Sequence, residues 1–373
     1  MSVESGPDPI SGEWVFLATT NRDIEAVAIQ EIAELIGADA SIDHPGMVRF
    51  SADLSAVDTL HARARSLHRI MLELAREPIE SIGDISGIVG RLELPTYLGP
   101  DQSFAVRAQR HGDHSFGSPD VEREVGQAVV DCYRRRERSR PPVDLDDPDL
   151  IFRVFVRDAR AAIAIDATGQ RSLHRRWYRV EEHEAALRPT IAYALCRYAD
   201  YEPGERLLDP MCGCGTIPIE ATLAAMNLPP TRNHDPALTR FQFLDPGRYH
   251  RMLREPGSGP DPPVTASDTD EAATEATRTN AREADVRGAL TVTTADATAV
   301  DIETDVVVTD MPFGVRTSGD LAELYGAFFA TLRDGEWDRA VVHTAREDLV
   351  PLEVSETIHM RRGRLETSIL LFE

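Results

Sequence analysis

The sequence predicts an α/β protein whose C-terminal half is an open, Rossmann-like sheet. Three observations carry this. Residues 205–220, ERLLDPMCGCGTIPIE, run from an apolar strand end through a glycine turn into a helix, the order that forms the ligand-binding corner of an open α/β sheet. Residues 304–309 are apolar through Val306, Val307 and Val308, as suits a strand buried on both faces. Strand candidates at 264–268, 290–294 and 304–309 each end at an acid, Asp268, Asp296 and Asp310, and ligands in such sheets lie beyond the carboxyl ends of the strands.

The helix after the glycine turn should begin near Thr216, with Pro218 in its first turn, where a missing N–H costs nothing. Gly213 and Gly215 let backbone approach a ligand closely. The dinucleotide fingerprint fails, because Pro218 stands where its last glycine should be, and a Walker A loop is excluded because the chain has no lysine. The string Asp209-Pro210-Met211-Cys212-Gly213-Cys214-Gly215-Thr216 resembles the first motif of class I S-adenosylmethionine-dependent methyltransferases. The resemblance implies that Asp209, Cys212, Gly213, Gly215 and Thr216 hold the methionine part of S-adenosylmethionine. A carboxylate placed like Asp268 can accept hydrogen bonds from both ribose hydroxyls, although a long detour separates it from the glycine turn. Asp270 reads as the cap of the next helix. Asp296 and Ala297 stand where methyltransferases of this class approach the adenine amino group.

Asp310-Met311-Pro312-Phe313 resembles the Asp/Asn-Pro-Pro-Tyr/Phe motif of enzymes that methylate exocyclic or amide nitrogens, with Met311 in place of the first proline. An exocyclic guanine amine is a poor nucleophile, since its lone pair is delocalised into the ring. A carboxylate at Asp310 can polarise the N–H as the methyl arrives. Pro312 stiffens the turn, and Phe313 can stack on a base that has left its helix.

At 373 residues the chain should hold two or three domains, and 42% hydrophobic content is ample for their cores. No apolar run approaches the ~18 residues of a membrane span. The first ten residues have neither a basic region nor an apolar core, so no signal peptide is expected and the protein reads as cytoplasmic. Cys132, Cys196, Cys212 and Cys214 have neither disulfide-framework nor zinc-site spacing, so no metal is expected. The net charge is −23, and all 40 basic residues are arginine, a composition resembling that of salt-loving archaea. Against this balance, residues 107–179 carry 15 arginines and 12 acids. Arg134, Arg135 and Arg136 form one cluster there. Arg175, Arg176 and Trp177 belong to a second, with His174 and Tyr178 interleaved, a mixture suited to phosphate neutralisation and base stacking.

Residues 1–77 show the β-α-β-β-α-β order of a ferredoxin-like domain. They offer a strand at 14–19, a helix at 23–36 stopped by Gly37, strands at 40–43 and 47–50, a helix at 54–64 and a strand at 70–75. Residues 78–179 offer a strand at 104–107, a helix started by Ser118-Pro119-Asp120, and paired strands at 151–156 and 161–165. FAVRAQRHGDHSFGSPDVEREVG together with TGQRSLHRRWYR resembles the THUMP domain of RNA-modifying enzymes, which implies that this part binds tRNA. Residues 180–373 form the methyltransferase part, entered through Leu187-Arg188-Pro189-Thr190, a turn that the resemblance lays against the cofactor through Thr190.

These resemblances together imply a THUMP-domain tRNA (guanine-N2-)-methyltransferase, with acceptor-stem position 6 the best placement. N2-guanine methylation elsewhere, such as tRNA position 10 or ribosomal RNA, and protein glutamine methylation are alternatives. A non-catalytic RNA-binding scaffold is the alternative of another class. The sequence leaves oligomeric state open, with a monomer the expectation.

Overall fold

The computed structural model describes residues 12–181, 186–312 and 321–373. Its first unit holds β1 (Glu13–Thr19), α1 (Glu25–Ile36), β2 (Ala40–His44), β3 (Met47–Asp53), α2 (Ala56–Arg63) and β4 (Arg69–Pro78). Periodic Val27, Ala28 and Ile32 bury one stripe of α1, and Gly37 ends it at φ 68°. The strands pair antiparallel in the order β4-β1-β3-β2.

The second unit holds α3 (Ile82–Arg91), β5 (Phe104–His111), α4 (Ser118–Glu137), β6 (Leu150–Arg157) and β7 (Arg160–Asp166). Antiparallel pairing of β7 with β4 fuses the two units into one seven-stranded sheet, β2-β3-β1-β4-β7-β6-β5. The anticipated boundary between residues 77 and 78 therefore falls inside β4 rather than between separate sheets. Side chains from α1 to α4 pack with Phe16, Phe50, Leu72, Phe104 and Phe152 on one face of this sheet. Among the described residues, the opposite face carries only a small apolar group around Leu17, Met71 and Phe155. Helix α3 was not foreseen, because Gly83, Gly87 and Gly90 cut its intrinsic propensity. Burial of Ile85, Ile88 and Val89 compensates, as does Asp84, which accepts the backbone N–H of Ser81 at 2.8 Å. Ser118 is not the cap of α4 but its first residue; Gly117 holds the cap position and Asp120 accepts its N–H at 2.9 Å.

The C-terminal half holds α5 (Pro189–Tyr198), β8 (Leu207–Asp209), α6 (Thr216–Ala225), α7 (Pro246–Leu253), β9 (Val264–Asp268), α8 (Glu271–Glu283), β10 (Leu290–Thr294), β11 (Val306–Asp310), α9 (Leu321–Asp334), β12 (Arg339–Thr344), β13 (Glu356–Arg362) and β14 (Leu365–Phe372). Its sheet runs β10-β9-β8-β11-β12-β14-β13, parallel except for the pairings of β14. Strand order reverses between β8 and β11, so a crevice opens beyond Asp209 and Asp310. Among the described residues, no helix is long and apolar enough to cross a membrane.

The detour at residues 227–263 packs on the N-terminal sheet. Ala237, Leu238, Phe241 and Tyr249 join the core built by α1 to α4. Leu238 N–H donates to Ala167 O at 2.8 Å, and Phe243 stacks on Trp14 with ring centroids 6.2 Å apart. Proline-rich and arginine-rich in sequence, this stretch is a clasp that binds the catalytic half to the rest.

Candidate active site and arginine cleft

At the glycine corner, three hydrogen bonds to β9 and α8 hold the turn. Cys212 N–H donates to Ser267 O at 2.9 Å, Gly213 N–H to Asp268 Oδ2 at 2.9 Å, and Thr277 Oγ1 to Gly213 O at 2.8 Å. Gly215 has φ 82°, and a Cβ there would come within 2.7 Å of Thr277 Cγ2, so glycine is required on both counts. A Cβ at Gly213 would meet nothing within 4 Å, which leaves the outer side of the turn open. Thr216 starts α6 and is buried, its Oγ1 3.7 Å from Cys214 Sγ. Asp209 is 1% exposed, accepts from Thr309 Oγ1 at 2.9 Å, and burial pushes its carboxyl up to about 8. It fastens β8 to β11 and offers a ligand no exposed charge.

Asp268 is half-buried, and its Oδ1 accepts the N–H of Asp270 at 3.0 Å. Each carboxylate oxygen has a second lone pair, so two hydroxyls can still be accepted. Asp270 caps α8 through the N–H of Ala272 at 2.9 Å. Asp296 is exposed and accepts from Thr298 N–H at 2.9 Å and Thr298 Oγ1 at 2.8 Å, bonds that hold its carboxyl below the usual range, while Ala297 is buried behind it. Open space before Gly213 and a part-exposed carboxylate beside it fit the nucleoside and methionine parts of S-adenosylmethionine.

Thr190 requires correction. It is fully buried at the joint between the halves, where its hydroxyl accepts from Asn21 Nδ2 at 2.9 Å and lies 3.0 Å from His68 Nε2. That hydroxyl is engaged by the N-terminal half, not aimed at a cofactor.

Asp310 closes β11 with its side chain 18% exposed. Its Oδ1 is 2.7 Å from His343 Nδ1, and its Oδ2 is 3.5 Å from an Arg362 guanidinium nitrogen. Met311 is buried, and its N–H donates to His343 O at 3.0 Å. The Pro312 carbonyl accepts from Tyr325 OH at 3.2 Å. Phe313 lies outside the described residues.

A cavity of about 1130 Å³ opens on the less covered face of the N-terminal sheet, lined by Arg69, Arg153, Arg171, Arg175, Arg179 and Arg188 among others. Asp166, fully buried, lies 2.9 Å from Arg69 and 2.8 Å from Arg153 and aims both guanidinium groups. His68 and His174 stand in the same wall with ring centroids 4.9 Å apart. Burial pushes them down to about 3 and about 4, so neither adds charge at pH 7.

Of the six residues expected to meet RNA, Arg175 is exposed on this cleft. Arg134, Arg135 and Arg136 are exposed at the end of α4 and do not line it; Arg136 pairs with Glu93. Arg176 is corrected: its side chain is fully buried, its Nε 2.9 Å from Glu220 Oε1, and it also donates to Arg65 O and Leu173 O. Trp177 packs the linker on α8, donating from Nε1 to Glu283 O at 3.1 Å.

Two family models match, one described as an RMKL-like methyltransferase domain over residues 176–367 and the THUMP domain over 80–166. The tRNA (guanine(6)-N2)-methyltransferase of Archaeoglobus fulgidus is 31% identical, covering 96% of this chain and 91% of that protein. The enzyme of the same name from Methanocaldococcus jannaschii is 31% identical, covering 95% and 98%. The chain belongs to this family of THUMP-containing methyltransferases. A crystal structure of a possible methylase from Clostridium difficile 630 shares the fold at TM-score 0.89 and 22% identity, covering 97% of this chain and 98% of that one. TrmN from Thermus thermophilus aligns at TM-score 0.74 and 26% identity over 96% and 98%.

Sequence reasoning about this methyltransferase missed His343, Arg362 and three of the cleft arginines, Arg69, Arg153 and Arg188. His343 was within reach, because parallel pairing of β11 with β12 sets it opposite Asp310. The cleft was not, since its residues come from β4, β6 and the linker, which only the shared sheet brings together.

Proposed function

We propose that this methyltransferase transfers a methyl group to the N2 amine of a guanosine in tRNA, at position 6 of the acceptor stem. The observation that carries the reading is Asp310, a part-exposed carboxylate fixed at the carboxyl end of β11, next to the strand-order reversal and the glycine corner. Bound S-adenosylmethionine supplies an electrophilic methyl group on a sulfonium. Asp268 and the Cys212–Thr216 turn would hold it, through ribose hydroxyls and the methionine part. Its methyl group would pass to the amine with the carbon–sulfur electron pair left on sulfur, and the Asp310 carboxylate would take the one N–H proton that the amine yields. The Pro312 carbonyl, which accepts from Tyr325 OH at 3.2 Å, keeps a second lone pair for the same amine, and the motif gives Phe313 the role of stacking on the base. The arginine cleft holds RNA by its phosphates and places the guanosine. Position 6 rests on the two archaeal relatives that carry it in their names and cover this chain nearly end to end. The acidic, lysine-free composition suits a salt-rich cytoplasm.

The test is mass spectrometry of tRNA nucleosides from a deletion strain, mapped to position. Loss of N2-methylguanosine at position 6, restored by the wild-type gene, supports the proposal. Loss at position 10 or in ribosomal RNA instead would reassign the substrate.

A further inference from the structure

The reacting carboxylate is held from behind by a hydrogen-bonded chain across three strands. Parallel pairing sets His343 on β12 opposite Asp310 on β11, so the two side chains share a face. The His343 ring is fully buried, with Nδ1 2.7 Å from Asp310 Oδ1 and Nε2 2.9 Å from Thr367 Oγ1 on β14. The Thr367 hydroxyl also lies 3.3 Å from Met360 O. Engaged at both nitrogens, the ring is fixed in orientation.

Proton counting assigns the rest. Thr367 has one hydroxyl proton. If it points to Nε2, the ring is neutral with its proton on Nδ1. If it points to Met360 O, Nε2 must donate to Thr367, and a ring that also donates from Nδ1 is an imidazolium. In both arrangements an N–H faces Asp310 Oδ1. A bare Nδ1 facing Oδ1 requires a protonated Asp310, which could not accept the proton released by an amine.

We infer that His343 is a positioning residue for methyl transfer: its Nδ1–H holds Oδ1 of Asp310, leaving Oδ2 as the oxygen that meets the substrate amine. Arg362 flanks Oδ2 at 3.5 Å and its guanidinium also donates to Ala186 O at 3.0 Å, which ties the acceptor to the linker beside the arginine cleft. A buried imidazole suits this role better than a water would, because it cannot be displaced when the base enters.

The inference rests on Asp310 being the acceptor, so Asp310→Ala is measured alongside. The decisive pair is His343→Asn and His343→Gln. The asparagine amide nitrogen reaches the position of Nδ1, whereas the glutamine amide reaches that of Nε2. His343→Gln is expected to lower kcat about 100-fold, the scale on which small misplacements act, with KM for tRNA unchanged. His343→Asn is expected to stay within about tenfold of the wild type. Equal losses in both variants, or no loss in either, overturn the positioning role. An active Asp310→Ala overturns the functional reading itself, a distinguishable failure. Should both His343 variants fail to fold, Thr367→Val decides: a lowered kcat at constant KM is expected, and an unchanged kcat overturns the inference.

Discussion

Asp268 Oδ2 accepts the backbone N–H of Gly213 at 2.9 Å across 55 residues of sequence. The carboxylate suited to ribose thus also locks the glycine turn, and one substitution should disturb both. Asp268→Ala should weaken S-adenosylmethionine about 10- to 100-fold, from a charge-assisted bond of ~1.5–3 kcal/mol. Asp268→Asn should fall between the two. Calorimetric titration checks this; heat with NAD and none with S-adenosylmethionine would be the contrary result.

Asp310 acts mainly in the transition state. Asp310→Ala should therefore lower single-turnover methylation about 100-fold or more while leaving the dissociation constant for tRNA within about twofold. Turnover near the wild-type rate would remove Asp310 from the acceptor role.

Arg176 and Arg175 are neighbours with opposite fates. Arg176 and Glu220 form a fully buried ion pair, to which Tyr178 OH adds a bond at 2.9 Å. Arg176→Ala strands a buried carboxylate and should cost ~3–5 kcal/mol of stability. Arg175→Ala should leave the melting temperature unchanged and weaken tRNA binding. Thermal melts and filter binding of the two variants separate these roles.

Arginines bound to phosphate release counterions, so removing one such arginine should flatten the slope of log K against log salt by about 0.7–0.9. Arg171→Ala and Arg175→Ala should each show this flattening. A combined Arg134→Ala, Arg135→Ala, Arg136→Ala variant should change the slope less, because those residues lie off the cleft. The reverse order would move the RNA to the end of α4. Trp177→Ala should lower stability more than tRNA affinity, since the indole packs on α8.

Burial holds His61 at about 3, with Val57 O 2.7 Å from its Nδ1 and Thr168 Oγ1 2.9 Å from its Nε2. Its folded value lies below the unfolded value, so its contribution to stability is present above about pH 6.5 and declines as pH falls towards 3. Between pH 6.5 and 5 this one ring should cost ~2 kcal/mol. His68, His174 and His234 are depressed in the same direction, each chiefly by burial. Denaturant melts at pH 7 and pH 5 should show a clear loss, smaller in a His61→Gln variant. Asp209 runs the opposite way. With its carboxyl raised to about 8, its contribution is complete below about pH 4 and lost as pH rises through 8.

Much of the fold could be read from the sequence because periodicity and strand-end acids are local. The helix 25–36, the glycine corner and the acidic strand ends all follow from nearby residues. What escaped depends on partners far apart in the chain. Burial of Arg176 comes from Glu220, the engagement of Thr190 from Asn21 and His68, and the support of Asp310 from His343. An arginine beside a tryptophan looks the same in sequence whether it meets phosphate or a buried glutamate. Only the packing of the linker against α6 and α8 distinguishes them.

Residues 227–263 lend the catalytic half's own side chains, Leu238, Phe241 and Tyr249 among them, to the interior of the N-terminal half. Neither half is a transplantable module. Severing the chain near residue 180 would leave one fragment waving an aromatic arm in water and the other with a hole in its heart, so grafting a new RNA grip onto this catalyst means carrying the arm's docking surface along with it.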